Sequence, residues 1–329
     1  MEAGTRGPSA SGAQGAAPGG GLPPERAGQY HAVSGRPDGV ALVSAPLSKP
    51  WRSSTDPPKQ NRLARVTPFS SNLSLTVKLA QREFDQRFRG SMLGWFWALI
   101  APLAMLAVFS LVFGVIFQSR WQRPGTEVTA EYAYPLLLFS GLIMFNFFSD
   151  QFNRAPNLVL ENVSYVKKVV FPLDVLVVVS MLTSLATVVI SFAAFLVIYL
   201  VMHGLPPATI LLLPLALLPL AMITMGISYL LASLGVFLRD LKHITPPLST
   251  AILFMSSVFY DPASLPEPYN WLITLNPITP AVNLMRDLVF WGQGPDLLTY
   301  SSYLAFAAIV LLAGLVFFRR TKKAFADVI

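Results

Sequence analysis

The sequence has no cysteine, few charges and long stretches with no charge at all. Without cysteine, the chain has no disulfide, no thiol nucleophile and no thiolate ligand for a metal. Only 12% of its residues are charged, against about 25% in a typical soluble domain. Between Val175 and Leu238 there is no Asp, Glu, Lys or Arg, and 53% of the whole chain is hydrophobic. A bilayer needs only about 20 apolar residues for each helical span, so the composition predicts an integral membrane protein.

Three further absences or scarcities of residue types argue against particular classes of function. No Gly-Lys dipeptide occurs, so the chain has no P-loop and is not expected to hydrolyse ATP alone. The apolar stretches carry almost no ionisable group of the kind that ion-coupled carriers keep inside the membrane. Three histidines, one of them near the N-terminus, are few for a catalytic or metal site. We therefore expect no catalytic residue, metal or cofactor in this chain, and a driving force supplied by another protein.

Residues 1–67 differ in composition from the rest of the chain. They are rich in Gly, Pro, Ser and Ala and show no periodic apolar face. Such a segment cannot bury enough surface to offset the entropy lost on ordering it. The composition predicts a disordered cytoplasmic tail that lacks the apolar region of a signal peptide. Residues 68–329 are expected to form the transmembrane domain.

A short amphipathic segment precedes the first apolar stretch. From Leu73 to Phe88, apolar residues such as Leu75, Leu79 and Phe84 recur every four or five positions, with charged residues between them. This spacing predicts a helix that lies in the membrane interface with its apolar face toward lipid. A cytosolic helix packed on a partner protein is the alternative that the same spacing allows.

The apolar windows predict six transmembrane helices. They cover about Gly94–Phe117, Tyr132–Ser149, Val175–Met202, Thr209–Leu238, Ile244–Tyr260 and Leu298–Phe318. All should be helical, because lipid offers no partner to an unpaired backbone amide. The predicted fold class is therefore an all-α integral membrane protein. Besides the six transmembrane helices it has an N-terminal amphipathic interface helix, a cytoplasmic coupling helix and an extracellular re-entrant helix pair between spans five and six.

The re-entrant pair is predicted for Trp271–Trp291, a stretch that is also apolar but contains groups that suit a spanning helix poorly. These are Pro277, Pro280, Arg286 and Asp287. If this stretch crossed the membrane, the basic cluster Arg319–Lys323 would end outside, whereas basic residues favour the cytoplasmic side. We therefore predict two short helices that enter from outside and return, with Arg286 on the outer side. Both chain termini are then cytoplasmic.

The loop between the second and third predicted spans has mixed charge and one apolar side. It runs from Asn157 to Val169, and Phe171-Pro172 ends it. A short amphipathic helix here would fit a groove on a soluble ATPase at the cytoplasmic face. An ordinary basic cytoplasmic loop is the alternative, and the residues alone leave both open.

Four blocks of sequence occur in a recognisable order. They are Arg87–Trp97 followed by Pro102-Leu103, then Val166–Pro172, then Phe237–Leu241, then Leu275–Pro280 with Arg286-Asp287. Together they resemble the type-2 ABC transporter permeases that export polysaccharides, such as the O-antigen, teichoic-acid and galactan exporters. The likeness runs from about Leu73 to the C-terminus. Two positions depart from the family pattern, because Ala101 replaces a common Asn and Ser256–Tyr260 lacks a common Ser-Pro.

The resemblance implies a homodimer of permeases in the bacterial inner (plasma) membrane, joined to two ATPase subunits that bind ATP and Mg²⁺. Such an exporter moves an undecaprenyl-pyrophosphate-linked polysaccharide outward, as in O-antigen export for lipopolysaccharide biosynthesis, and has no nucleic-acid partner. The segment around Glu161–Val169 would be the coupling helix, Leu73–Arg89 the interface helix and Trp271–Trp291 the re-entrant pair. The residues expected to contact the ATPase are Glu161, Asn162, Tyr165, Lys167 and Lys168.

Arginine and aromatic residues are the candidate substrate contacts. Arg87 and Arg89 lie at headgroup depth, where a guanidinium suits phosphate oxygens; anchoring by the positive-inside rule is the alternative. A sliding glycan should meet aromatic faces, and the candidates are Trp95, Phe96, Trp97, Phe259, Tyr260 and Trp271. An ordinary aromatic belt is the alternative for each ring.

A drug or small-molecule efflux permease is the nearest rival function, and a scramblase-like or structural membrane protein without ATP coupling is more distant.

Overall fold

The computed structural model describes residues 68–88, 92–116, 133–166, 172–260, 268, 271, 273 and 275–328. Within these ranges the chain is helical and forms no strand. The tail predicted for residues 1–67 lies outside the described residues, and it stays a prediction.

The helices are numbered here in chain order. They are α1 (Pro68–Phe88), α2 (Trp97–Phe109), α3 (Ala133–Leu158), α4 (Val163–Val166), α5 (Asp174–His203), α6 (Leu213–Phe237), α7 (Leu241–Phe254), α8 (Thr279–Arg286), α9 (Leu297–Thr321) and α10 (Phe325–Val328). Short 3-10 turns occur at Gly94–Phe96, Leu160–Asn162, Ala208–Leu212 and Lys322–Ala324. Two π-helical segments, Ser110–Ile116 and Asp287–Trp291, continue α2 and α8.

In the described part of the chain, three helical segments are long and apolar enough to cross a membrane. They are Asp174–His203, Ala208–Phe237 and Leu297–Ala324, and they coincide with the third, fourth and last predicted spans. Leu99–Phe113 is a shorter apolar helix inside the first predicted span. These segments confirm the prediction of a helical membrane protein, whereas the six-span arrangement remains a prediction.

Helix α3 lies at the buried centre of the described helices. It packs against α5, α6, α7 and α8, and its residues Leu136, Leu138 and Phe148 are no more than 1% exposed. The second predicted span covers about Tyr132–Ser149, and the helix continues beyond it to Leu158. Several polar side chains of the extension have partners on other helices. Gln151, for example, donates to the carbonyl oxygen of Ser180 in α5 at 2.7 Å.

Helix α7 is displaced toward the N-terminus relative to the predicted fifth span, Ile244–Tyr260. It runs from Leu241 to Phe254 and contains Pro246-Pro247, which were expected at its start. A proline removes the helical donor of the carbonyl four residues earlier. Those two carbonyls belong to Lys242 and His243, and both residues are exposed. Water can therefore satisfy them, and the helix continues through the prolines.

Glycines bring helix backbones into direct contact at two crossings. A Cβ added at Gly314 of α9 would lie 2.0 Å from the carbonyl oxygen of Gly226 in α6. A Cβ added at Gly235 of α6 would lie 2.0 Å from the carbonyl oxygen of Pro156 in α3. Small residues at crossings are typical of membrane helices, whose association depends on close packing. The two crossings hold α6 against α3 on one side and α9 on the other.

Arg286, which the sequence predicted to lie on the outer side of the membrane, is buried within the protein; its side of the membrane stays a prediction. It is 1% exposed, and its guanidinium donates to three carbonyl oxygens, those of Leu137, Ser257 and Val258. The hydroxyl of Tyr134 donates to the next carbonyl, that of Phe259, at 2.8 Å. Three successive carbonyls after α7 are thereby bonded to side chains of α8 and α3. The cation is stable there because carbonyl dipoles surround it.

The start of α5 and the end of α9 lie on the same side of the helices. Asp174 accepts hydrogen bonds from Lys322 at 3.3 Å and pairs with Arg319 at 3.5 Å.

Of the predicted re-entrant pair, the second half forms α8 and the π-helical segment that follows it. In the first half, residues 272 and 274 lie outside the described residues.

Candidate functional site

A cavity of about 620 Å³ lies between α2, α3 and α5, and we call it the interhelical cavity. Its lining changes along α3, from apolar at Phe139–Ile143 to polar at Asn146–Arg154. Trp97, Pro102 and Met105 of α2 extend the apolar wall. A concave site with an apolar wall and one polar end suits an amphiphilic molecule.

An ion pair between α1 and α3 stands at the polar end of the cavity. Arg87, near the end of α1, contacts the carboxylate of Asp150 in α3 at 2.6 Å. The same guanidinium donates to the hydroxyl of Thr187 in α5 at 3.3 Å, and the hydroxyl of Ser184 donates to Asp150. Arg87, which the sequence singled out as a substrate contact, therefore lines a cavity and is held by groups from two other helices.

A second ion pair joins the same two helices one helical turn away. Glu83 of α1 contacts Arg154 of α3 at 2.5 Å. The four charged side chains of the two pairs keep between 24% and 31% of their surface exposed. Water, ions and the headgroups of lipids can thus reach them.

A cleft of about 700 Å³, which we call the α1 cleft, lies beside the interhelical cavity. It is bounded by α1, the last turns of α3, the segment 160–166 and the first turns of α5. Arg87, Asp150 and Arg154 line both the cleft and the interhelical cavity. The two ion pairs therefore stand between the two spaces.

The predicted ATPase contacts Glu161, Asn162 and Tyr165 also line the α1 cleft. Glu161 is exposed, whereas Asn162 donates to the carbonyl oxygen of Leu158 at 2.8 Å and so closes the end of α3. Within the predicted amphipathic segment 157–169, α3 takes the first residues, and the 3-10 turn and α4 cover residues 160–166. Lys167 and Lys168 lie outside the described residues.

The predicted aromatic contacts fall into separate places. Trp97 lines the interhelical cavity, and Phe96 beside it is exposed. Phe259 packs instead among the rings of Phe109, Phe113 and Phe254. The remaining rings are Tyr260, whose hydroxyl donates to the Phe254 carbonyl, and Trp271, which is exposed. Arg89 and the side chain of Trp95 lie outside the described residues.

Helix α3 shows how far the predicted substrate contacts near Arg87 lie from those near Phe259. Tyr134, which holds the backbone of Phe259, and Asp150, which holds Arg87, are 16 residues apart on one helix, a separation of about 24 Å. Arg87 and Trp97 therefore belong to one end of the helices, and Phe259 and Tyr260 to the other. Among the described residues, the predicted substrate contacts do not form a single site.

Sequence reasoning missed the acidic partners in this site. Neither Glu83 nor Asp150 was proposed for a role, although each stands four residues before an arginine on its helix, a spacing that places both charges on one face. Their pairing across α1 and α3 could not be read from spacing within either helix.

Among the described residues no group of three His, Asp or Glu residues could hold a metal ion.

Comparisons with known proteins agree on the class of protein. The family model described as ABC-2 type transporter matches residues 75–290, which is more than half of the chain. An O-antigen export system permease protein RfbA from Myxococcus xanthus is 26% identical over 255 residues, covering 77% of this chain and 94% of the relative. The protein of the same name from Klebsiella pneumoniae is 26% identical over 262 residues, with 78% and 95% covered. The polysialic acid transport protein KpsM from Escherichia coli is 24% identical over 244 residues, with 74% and 92% covered.

Proposed function

This chain belongs to the ABC-2 type transporter family, and from that premise we propose that it is the permease of a polysaccharide exporter driven by a separate ATPase. The names of its relatives, which span O-antigen export and polysialic acid transport, favour a polysaccharide over the small molecules of a drug efflux permease. The observation that carries the proposal is the interhelical cavity, whose apolar wall ends in charged groups.

The proposed substrate is a polysaccharide on an undecaprenyl-pyrophosphate carrier. Such a molecule has a long apolar chain and an anionic link to the glycan, and the interhelical cavity offers an apolar wall beside Arg87. A guanidinium can bind phosphate oxygens with two parallel hydrogen bonds. Arg87 pairs with Asp150, so a bound phosphate would compete with this carboxylate for the guanidinium. Arg89, Trp95, Phe96 and Trp97 follow along the chain and would extend the contact.

The second aromatic group would act at the opposite end of the permease. Phe259 and Tyr260 stand about 24 Å from Arg87 along α3, so they would meet a different part of the same extended glycan. Trp271 is exposed on the chain that follows. We propose that these rings guide the glycan as it leaves, since an aromatic face binds a sugar weakly enough to let it slide.

We propose six crossings of the bacterial inner membrane with both termini in the cytoplasm, formed by α2, α3, α5, α6, α7 and α9. The ion pairs of Asp174 with Arg319 and Lys322 support an even number of crossings between the start of α5 and the end of α9. An additional crossing by Trp271–Trp291 would separate these partners by the thickness of the membrane.

We propose that the ATPase binds at the α1 cleft, through Glu161, Asn162 and Tyr165 together with Lys167 and Lys168. The three described members of this set line one cleft with α1, which provides a surface of mixed charge for a soluble partner. The ATPase would bind ATP and Mg²⁺, and a second copy of this chain would complete the exporter as a homodimer.

The proposal is tested by purifying the chain after co-expression with its candidate ATPase and measuring complex formation and ATP turnover. We expect a stable complex of two permeases and two ATPases, weakened when Glu161, Lys167 and Lys168 are all changed to Ala. A chain that stays alone would contradict ATP-driven transport.

Substrate binding is tested separately with vesicles that contain undecaprenyl phosphate. We expect Arg87→Met to weaken binding by about tenfold or more, because one charge-assisted hydrogen bond contributes roughly 1.5–3 kcal/mol. Lys78→Met serves as the control, since Lys78 is an exposed cation on the same helix that lines neither the interhelical cavity nor the α1 cleft. Equal losses in both variants would show that Arg87 only anchors the helix at the membrane.

A further inference from the structure

The two ion pairs between α1 and α3 have a reciprocal order. On α1 a carboxylate is followed four residues later by a guanidinium, at Glu83 and Arg87, and on α3 the same order recurs at Asp150 and Arg154. The pairs Glu83–Arg154 and Arg87–Asp150 align because the two helices meet in antiparallel directions. We call this set of four residues the α1–α3 clamp.

The order of charges makes the clamp sensitive to sliding. If α1 moved by one turn in one direction, Glu83 would face Asp150; in the other direction, Arg87 would face Arg154. Either movement breaks both ion pairs and places like charges together, which is unfavourable even where water reaches them. The clamp therefore specifies a single register between α1 and α3.

Helix α5 supports the clamp from a third side. Arg87 donates to Thr187 and Asp150 accepts from Ser184, both on α5. Further along α1, the hydroxyl of Thr183 contacts the carbonyl oxygen of Ala80 at 3.4 Å. Helix α1 thus packs along α5 and is joined to α3 by the two ion pairs.

The clamp also connects two functional surfaces. Arg154 lies one turn before Leu158, which is the last residue of α3. The carbonyl oxygen of Leu158 accepts a hydrogen bond from Asn162 in the segment 160–166. Arg87, on the other partner helix, lines the interhelical cavity together with Trp97. A continuous helix and two ion pairs therefore link the segment proposed to bind the ATPase with the cavity proposed to bind the substrate.

We propose that Glu83, Arg87, Asp150 and Arg154 are positioning residues that transmit movement of the segment 160–166 to α1 and so control access to the interhelical cavity. The inference rests on the proposed function for its purpose, but the clamp itself is defined by contacts within this chain. While both pairs are formed, α1 is fixed against α3 and the polar end of the cavity is occupied by the chain's own carboxylates. A displacement of the end of α3 releases α1 only when both pairs break.

The test reverses the charges of one pair and measures the distance between α1 and the segment 160–166. The Glu83–Arg154 pair is chosen because Arg87 is itself a proposed substrate contact. The chain has no cysteine, so Gln81→Cys and Ser164→Cys, both at exposed positions, take spin labels at two sites only. We expect Glu83→Arg and Arg154→Glu each to broaden the distance distribution, and the double variant to restore the original one.

Transport provides the second readout. In the complex with the ATPase, each single reversal is expected to lower the amount of glycan moved per ATP at least about twofold, because charged residues in direct contact are energetically coupled. The double reversal is expected to recover most of this loss. Asp85→Arg is the matched control: it makes the same change of charge on α1, at an exposed residue for which the described part of the chain shows no partner.

Each outcome separates the clamp from the proposed function. A double reversal as damaging as the two single reversals combined would overturn the clamp, as would single reversals that leave the distances unchanged. If a reversal prevents folding, Glu83→Gln and Arg154→Gln replace it, and an unchanged distance distribution in both would overturn the clamp equally. If the unaltered chain binds no ATPase, the proposed function fails, whereas the distance measurements on the chain alone still decide whether the clamp exists.

Discussion

Replacing Arg286 by methionine removes the only charged donor seen to bind the carbonyls of Ser257 and Val258 in the described part of the chain. Methionine fills much of the same space but donates no hydrogen bond. A buried acceptor left without a donor costs about 1–3 kcal/mol, so two such carbonyls cost about 2–6 kcal/mol. Removing a buried guanidinium recovers part of its desolvation cost, so we expect a net loss of about 2–3 kcal/mol.

The measurement is equilibrium unfolding in detergent, followed by the helical signal. Arg239→Met is the control, because Arg239 is exposed and a surface substitution usually changes stability by less than about 0.5 kcal/mol. Arg286→Lys should fall between the two, since one ammonium group keeps the charge but cannot reproduce the planar fork of the guanidinium. If Arg286→Met unfolds like the control, the carbonyls after α7 have other partners and the reasoning is wrong.

Further outcomes can be checked with the same unfolding assay. Gly226→Ala would place a Cβ 2.5 Å from the carbonyl oxygen of Val310 and should lower the free energy of unfolding by about 1–3 kcal/mol, because it forces α6 and α9 apart. Gly294→Ala is the control and should be nearly neutral, since its added Cβ meets nothing within 4 Å. Equal free energies of unfolding for the two variants would refute the close crossing. The hydroxyl and amide of Thr299 hold the pKa of Asp296 below its ordinary value. The contribution of Asp296 to stability is therefore complete above about pH 3.9, the pKa of a free aspartate, and is lost as the pH falls through the lower pKa of the folded state. The variant Asp296→Asn should therefore lose less stability in acid than the unaltered chain.

The sequence was most informative where charge is absent. The charge-free stretch Val175–Leu238 predicted two helices broken near Gly204, and the structure has α5 and α6 on either side of that residue. The ordered motifs also predicted the family, which the match over residues 75–290 confirms. Apolar runs and local motifs are properties of the chain itself, so they can be recognised without knowing what packs against them.

Charged residues inside helices were predicted less well. The second predicted span was ended at about Ser149 because Asp150 and Arg154 interrupt the charge-free stretch, and their partners on α1 lie 63 and 71 residues away in the sequence. Arg286 was judged a poor fit for a spanning helix for the same reason, yet backbone carbonyls of α3 and of the segment after α7 accept its hydrogen bonds. A charge is tolerated according to its partners, and partners so distant in sequence leave no periodic signal.

The contact between Gly226 and Gly314 has a consequence for how the protein is made. These two positions are separated by roughly 90 residues, which a ribosome adds in roughly 5–20 s at the usual rate of synthesis. During that interval α6 is complete while the surface around Gly226 is still without its partner. The final fold is therefore reached only after the last long helix has been synthesised, and a chain truncated before α9 would expose a glycine-lined groove to lipid or to quality-control proteases.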